Sequence, residues 1–291
     1  MARKYLQMMS TINKHILTIQ FMLVLVCQLN SFSWLTAQDI SSMEEDLPAP
    51  LFQSDEPLSL TLSMDIKTVF RDIEEKESHP AEISYTDPDG KLIKLPIKVK
   101  LRGNFRKDPV NCDFPPLRLN FSNTTVINTI FRGQDKVKLV THCRSRKDLY
   151  EQNVLKEYLA YKLYNLFTDE SYLVRLVNLT YADTEGKVDT LKKMAFLLEP
   201  NKQMSRRNDC EFLRVKNIPQ ERTDRQKMNV LSVFQFMVGN TDWSVSAMHN
   251  VVFLKKDPKA LPIVVPYDFD WCGLVNAPYA APAEHLPIES V

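Results

Sequence analysis

Near the C-terminus, two apolar runs, Val251-Val252-Phe253-Leu254 and Ile263-Val264-Val265-Pro266, are separated by Lys255-Lys256-Asp257-Pro258-Lys259-Ala260. Both runs are rich in β-branched residues and the segment between them can turn, so the pattern predicts an antiparallel pair. That pairing constrains everything around it, because each run carries a polar loop at its outer end. Gly239-Asn240-Thr241-Asp242-Trp243 and His249-Asn250 precede the first run, and Tyr267-Asp268-Phe269-Asp270 follows the second. The hairpin brings Asn250 close to Asp268 and makes the two loops one site. An Asp directly after a helix can orient a hydroxyl, and Asn and Asp oxygens suit a hard divalent cation.

The chain has 291 residues, 44% of them hydrophobic and 25% charged, which is enough to bury a substantial core. Formal net charge is +1; Arg3, Lys4 and Lys14 all precede the first acidic residue, Asp39, so removing residues 1–37 leaves 34 basic against 36 acidic side chains, or −2. That balance disfavours a general nucleic-acid binder. Residues 1–37 read as a signal peptide, with basic residues, an apolar stretch from Ile16 to Leu29 and a small-residue exit at Thr36-Ala37. A secreted or cell-envelope location is expected, with no stable membrane span after cleavage; an uncleaved anchor is the competing reading. Cys112, Cys143, Cys210 and Cys272 remain in the mature chain. Three disulfide pairings and four buried thiols all stay open.

Residues 38–56, with Pro48, Pro50 and Glu44-Glu45-Asp46, read as a linker. Strands are expected at Leu58–Met64, Ala81–Tyr85, Leu92–Leu101, Leu117–Phe121 and Val137–Thr141. The uninterrupted stretch Lys147–Phe167 predicts a helix, burying Leu149, Leu159, Leu163 and Leu166 among others. Two more strands, Tyr172–Tyr181 and Met194–Leu198, join through Asp183-Thr184-Glu185-Gly186. Residues 201–223 read as a polar loop. A second helix from Asp224 to Val238, burying Val230, Leu231, Val233 and Phe236, delivers the chain to Asn240.

Several ordered blocks now carry a resemblance. They are Leu101-Arg102-Gly103-Asn104, Pro116-Leu117-Arg118-Leu119-Asn120-Phe121, the helix around Asn153-Val154-Leu155-Lys156-Glu157-Tyr158, Ala195-Phe196-Leu197-Leu198-Glu199, and the Asn-x-Asp and Pro-x-Asp-Phe-Asp motifs. In that order, over roughly residues 98–285, they resemble the CotH-type kinases, named for spore coat protein H. The resemblance implies an α+β, divergent protein-kinase-like fold, with a β-rich N-lobe at residues 57–199 bearing one long helix. Residues 200–291 would form a short helical C-lobe, whose truncation the ending rich in Pro278, Pro282 and Pro287 suggests. It implies ATP with Mg2+ or Mn2+, and γ-phosphate transfer to a hydroxyl of an exported or envelope protein. Asp242 would be the catalytic acid, and Asn250, Asp268 and Asp270 the metal ligands. Glu199 would meet the nucleotide from the segment between lobes, and Glu157 would pair with Arg118 or Lys138 to position a phosphate-binding cation.

Kinase catalytic loops separate their Asp and Asn by five positions, whereas Asp242 and Asn250 stand eight apart, so either the loop bulges at Ser244-Val245-Ser246-Ala247-Met248 or its geometry does not support transfer. Arg102-Gly103-Asn104-Phe105-Arg106 is the one substitute for a phosphate-covering turn. Two alternatives accompany the kinase reading: an inactive kinase-like surface or coat interaction protein, and a metal-dependent phosphoester hydrolase.

Overall fold

The computed structural model describes residues 47–74, 77–283 and 286–290. The chain divides into Met1–Glu45 and Asp46–Val291, and the first unit, with the signal-peptide reading and residues 38–45 of the linker, lies outside the described residues; the described part of the linker holds a 3-10 turn at Pro50–Phe52 that buries Leu51 and Phe52. Seven strands close into a barrel in the second unit: β1 (Leu58–Met64), β2 (His79–Thr86), β3 (Leu92–Leu101), β4 (Leu117–Asn120), β5 (Lys136–Val140), β6 (Val174–Asp183) and β7 (Leu191–Leu198). Their order around the barrel is β1-β2-β3-β4-β5-β7-β6. All contacts are antiparallel except the closing one, where β1 runs parallel to β6 from Leu58↔Val177 to Met64↔Asp183. Alternation explains the interior: Leu95, Ile97, Val99 and Leu101 of β3 point inward while Lys94, Pro96 and Lys98 stay exposed.

Closure overturns the two-lobed, kinase-like fold class and the resemblance that implied it. The individual strands lie where their periodicity placed them. Their partners were not legible, because the parallel β1–β6 contact joins segments more than a hundred residues apart, and no local pattern encodes it.

Helix α1 (Ile66–Arg71) follows β1 and is capped by Asp65, whose Oδ1 accepts from Thr68 N at 3.0 Å. Helix α2 (Asp148–Asn165) occupies the expected stretch but buries Val154, Glu157, Tyr158, Tyr161 and Tyr164, leaving Leu149, Leu159, Leu163 and Leu166 exposed. The polar stretch after β7 holds α3 (Asn201–Arg207) and β8 (Glu211–Leu213) rather than a plain loop. Helix α4 (Arg225–Met237), capped by Asp224, buries Leu231 and Phe234 but exposes Val233 and Phe236. In both helices the apolar positions outnumber the ones that one packed face can cover.

Strands β9 (Val251–Lys255) and β10 (Ile263–Pro266) pair antiparallel as expected, and β8 adds to β9 to make a three-stranded sheet. Its two faces are both covered. Val252, Leu254 and Val265 join a cluster with Tyr161, Phe196 and Phe269, while Val251, Phe253 and Val264 pack with Met228 and Leu231. Burial on both faces is why these runs are apolar throughout instead of alternating.

Cys112 and Cys143 form a disulfide, tying the loop after β3 to the segment after β5; Cys210 and Cys272 are free thiols. Among the described residues, no helix is long and apolar enough to cross a membrane. Peptide mapping without reductant is expected to recover Cys112 linked to Cys143. Serine at both positions is expected to lower unfolding free energy by about 3–4 kcal/mol for a separation of 31 residues, and a different pairing would contradict this structure.

Candidate functional site

A cavity of about 550 Å3 opens where the loop following β3 meets the two outer ends of the β9–β10 hairpin. It is lined by Arg102, Gly103, Asn104, Phe105 and Arg106 from that loop, and by Lys138 and Val140 of β5. Asp242, Met248, His249, Asn250, Tyr267, Asp268, Asp270 and Trp271 complete it. A larger cavity of about 820 Å3 lies on the barrel wall, lined by a mixture of apolar residues with Ser, Thr and Asn, and its Lys193 is already paired with Asp148 and Glu151. The smaller cleft gathers charged side chains of both signs, Arg102, Arg106, Lys138, Asp242, Asp268 and Asp270.

Hairpin register brings the two loops together as the sequence predicts. Pro266 stands opposite Val251, and Tyr267 N donates to Asn250 O at 3.0 Å. Asn250 and Asp268, at these adjoining ends, both adopt left-handed backbone, with φ 51° and 64°. Such conformations carry a cost for non-glycine residues and persist where surrounding contacts hold them. Asn250 Nδ2 donates to Asp242 O at 2.8 Å and to Asp242 Oδ2 at 2.9 Å, while Asp268 N donates to the buried Tyr161 Oη at 2.8 Å. The loop does bulge: Ser244 and His249 exchange backbone bonds of 3.0 and 2.9 Å, closing a small loop between them.

Asp242 is committed within its own neighbourhood, with Oδ1 2.7 Å from His249 Nε2 and Oδ2 bound by Asn250. Asp270 is buried, accepts from Tyr279 Oη at 3.0 Å and lies 3.9 Å from Arg106 Nη1. Burial and then Asp268 raise its pKa to about 6. Glu157, buried on α2 below these groups, is held well above the ordinary carboxylate range by burial and then by Asp270 and Asp268. It forms no salt bridge with Arg118 or Lys138, so the expected ion pair is absent. Glu199 is buried elsewhere: Arg207 Nε and Nη2 grip its two oxygens at 3.1 and 2.9 Å, and Leu173 N donates to it at 3.0 Å. It fastens α3 to the barrel and does not line the cleft.

The positive charge comes from barrel geometry. Lys100 stands opposite Arg118, and Arg118 opposite Lys138, so three cations lie in a row across β3, β4 and β5. Arg102 extends the same alternation one step beyond β3. Like charges directly opposite one another in a sheet repel. Burial, followed by Arg102, lowers the pKa of Lys138 to about 8, with Arg118 adding to the effect. Lys138 lies 4.7 Å over the Tyr267 ring, but neither it nor Arg102 has a side-chain hydrogen bond or salt bridge among the described residues. Arg118 Nε is buried without a partner.

The donor set does not make a preformed metal centre. Among the described residues, no group of three or more His, Cys, Asp or Glu side chains could hold a metal ion. Asp270 already faces Arg106 and Tyr279, and the Asn250 amide nitrogen faces Asp242. The closed barrel overturns ATP-dependent phosphoryl transfer and the metal-dependent hydrolase reading, while the inactive kinase-like reading falls with the fold it presupposes. Comparison with protein-family models and with curated proteins finds no match.

Arg102 and Arg106 were visible in the sequence only as members of a weak turn motif. The signal that could have singled them out is the alternation Lys98, Lys100, Arg102 on one strand face, repeated by Arg118 and by Lys136 with Lys138. Glu157 gives a pH test. A carboxyl whose folded pKa lies above its ordinary 4.5 contributes stability present below that value and lost as pH rises through the folded one. Glu157→Gln is expected to flatten this decline in thermal unfolding scans, and an unchanged pH profile would show that Glu157 does not carry it.

Proposed function

We propose that the cleft is a binding site for a small ligand bearing phosphate or a comparable oxyanion, in a domain that works outside the cytoplasm. The observation that carries this reading is the unneutralised cation row ending at Lys138 and Arg102. A bound oxyanion would accept hydrogen bonds from both and offset the burial, and after it the Arg102 charge, that depress the Lys138 pKa. Gly103, at φ +87° in the same loop, leaves the backbone open to close approach. Arg106 and Asp270, which line the same cavity, face each other at 3.9 Å and together add little net charge. The disulfide and the apolar N-terminal segment of the sequence support an extracytoplasmic setting. ATP, with or without Mg2+ or Mn2+, belongs to the ligand class as something held, and no transfer step is assigned to the site.

Calorimetric titration with pyrophosphate and with ATP, each with and without Mg2+ or Mn2+, tests the reading. Lys138 keeps its proton below about pH 8 and loses it above, so affinity is expected to fall as pH rises through that value. Lys138→Met is expected to abolish binding. It should also stabilise the unliganded protein at neutral pH, by at most roughly 3 kcal/mol, the equivalent of moving a pKa from 10.5 to about 8. Absence of binding by a folded protein near neutral pH, or an affinity indifferent to pH, would overturn the proposal.

A further inference from the structure

We infer that the ligand of this cleft carries a planar ring beside its anionic group, and that the ring lies against Phe105 and Trp271; the inference rests on the oxyanion-site reading above. The cavity lining combines two chemically distinct sets of side chains. Arg102, Lys138, Asp268 and Asp270 carry charge, and Phe105 and Trp271 offer aromatic rings. Phe105 packs edge-on against Trp271 at 5.4 Å between ring centres, with an interplanar angle of 83°, and against Tyr279 at the same distance and 45°. Trp271 and Tyr279 close the triangle at 6.2 Å.

Three separate segments fix this platform. Phe105 comes from the loop after β3, and Trp271 and Tyr279 both come from the segment after β10. Tyr150 at the start of α2 stacks behind Tyr279 at 6.5 Å and 15°. The platform is also tied to the charged set, because Tyr279 Oη donates to Asp270 Oδ2 at 3.0 Å. Yet Phe105 remains 37% exposed. A ring held this firmly while its face stays open to a polar cavity gains little for the core. It is preorganised to stack, since edge-on packing leaves faces free for an incoming ring. Cations beside it would hold the charged end of the same molecule. The volume suits a ligand of that size, within the range of small-molecule pockets of about 300–1,000 Å3. The ligand class is therefore a phosphorylated compound with a planar heteroaromatic ring. Its ring sits beside the loop after β3, and not at Glu199, whose carboxylate is already fully engaged.

Binding of AMP and of ribose 5-phosphate to the mature protein, by calorimetry under identical conditions, separates the ring from the phosphate. AMP is expected to bind roughly tenfold or more tightly, the order of one stacked base on an aromatic side chain. In Trp271→Leu and Phe105→Leu that ratio is expected to fall toward one. Equal affinities in the wild-type protein would overturn the ring inference and leave the oxyanion reading standing. Binding of neither compound would overturn both. A high ratio that both folded variants preserve would place the ring elsewhere and also overturn the inference. If the variants do not fold, a wild-type ratio near or above ten supports the inference and a ratio near one overturns it.

Discussion

The register of β3, β4 and β5 is the constraint on which both the core and the site depend. Leu101, Leu117 and Leu139 stand in line, as do Val99 with Leu119 and Val137. Their side chains fill the barrel. Because side chains alternate, the same register places Lys100, Arg118 and Lys138 in line on the other face. A slip of one residue in any of the three strands would drive cations inward and leucines out, so burial holds the repelling row in place. The apolar interior thus supplies the free energy that keeps three like charges adjacent, and the charged face carries a cost that the unliganded protein does not recover.

The carboxylates modulate this field without cancelling it. Asp270 is absorbed by Arg106 and Tyr279, Asp242 by His249 and Asn250, and Glu157 is held toward its neutral form by burial. Asp268 remains as the forward acid, its left-handed backbone held by Tyr161. Paired and unpaired charges therefore line the same cavity: Arg106 faces Asp270 and His249 faces Asp242, while Lys138 and Arg102 have no such partners. That arrangement differs from a metal-binding loop, in which carboxylates converge on an empty centre.

How far the sequence discloses this molecule depends on the range of the interactions involved. The β9–β10 hairpin, the helix starting at Asp148 and the meeting of Asn250 with Asp268 follow from local periodicity and a short turn, and each lies where those signals put it. The small loop between Ser244 and His249 is one of the two outcomes that comparison of its spacing with a kinase loop left open. Barrel closure does not, since β1 and β6 meet only because seven strands curl far enough to join. Reading the same strands as an open lobe made Glu199 a ligand-facing residue, whereas Arg207, from a helix inside a stretch expected to be a loop, occupies it. Exposed Phe236 and Leu159 show the same limit, because an apolar period marks the positions able to pack without naming those that find a partner. The aromatic platform was invisible for a related reason: Phe105, Tyr150 and the pair Trp271 and Tyr279 come from three distant segments.

The most direct test of the central claim, that an unneutralised cation row defines the site, is the titration of Lys138 followed by NMR with lysine side chains isotopically labelled. The ammonium should titrate near pH 8 in the free protein and move upward when pyrophosphate is added. A value near the ordinary 10.5 in the free protein, unchanged by the anion, would contradict the account.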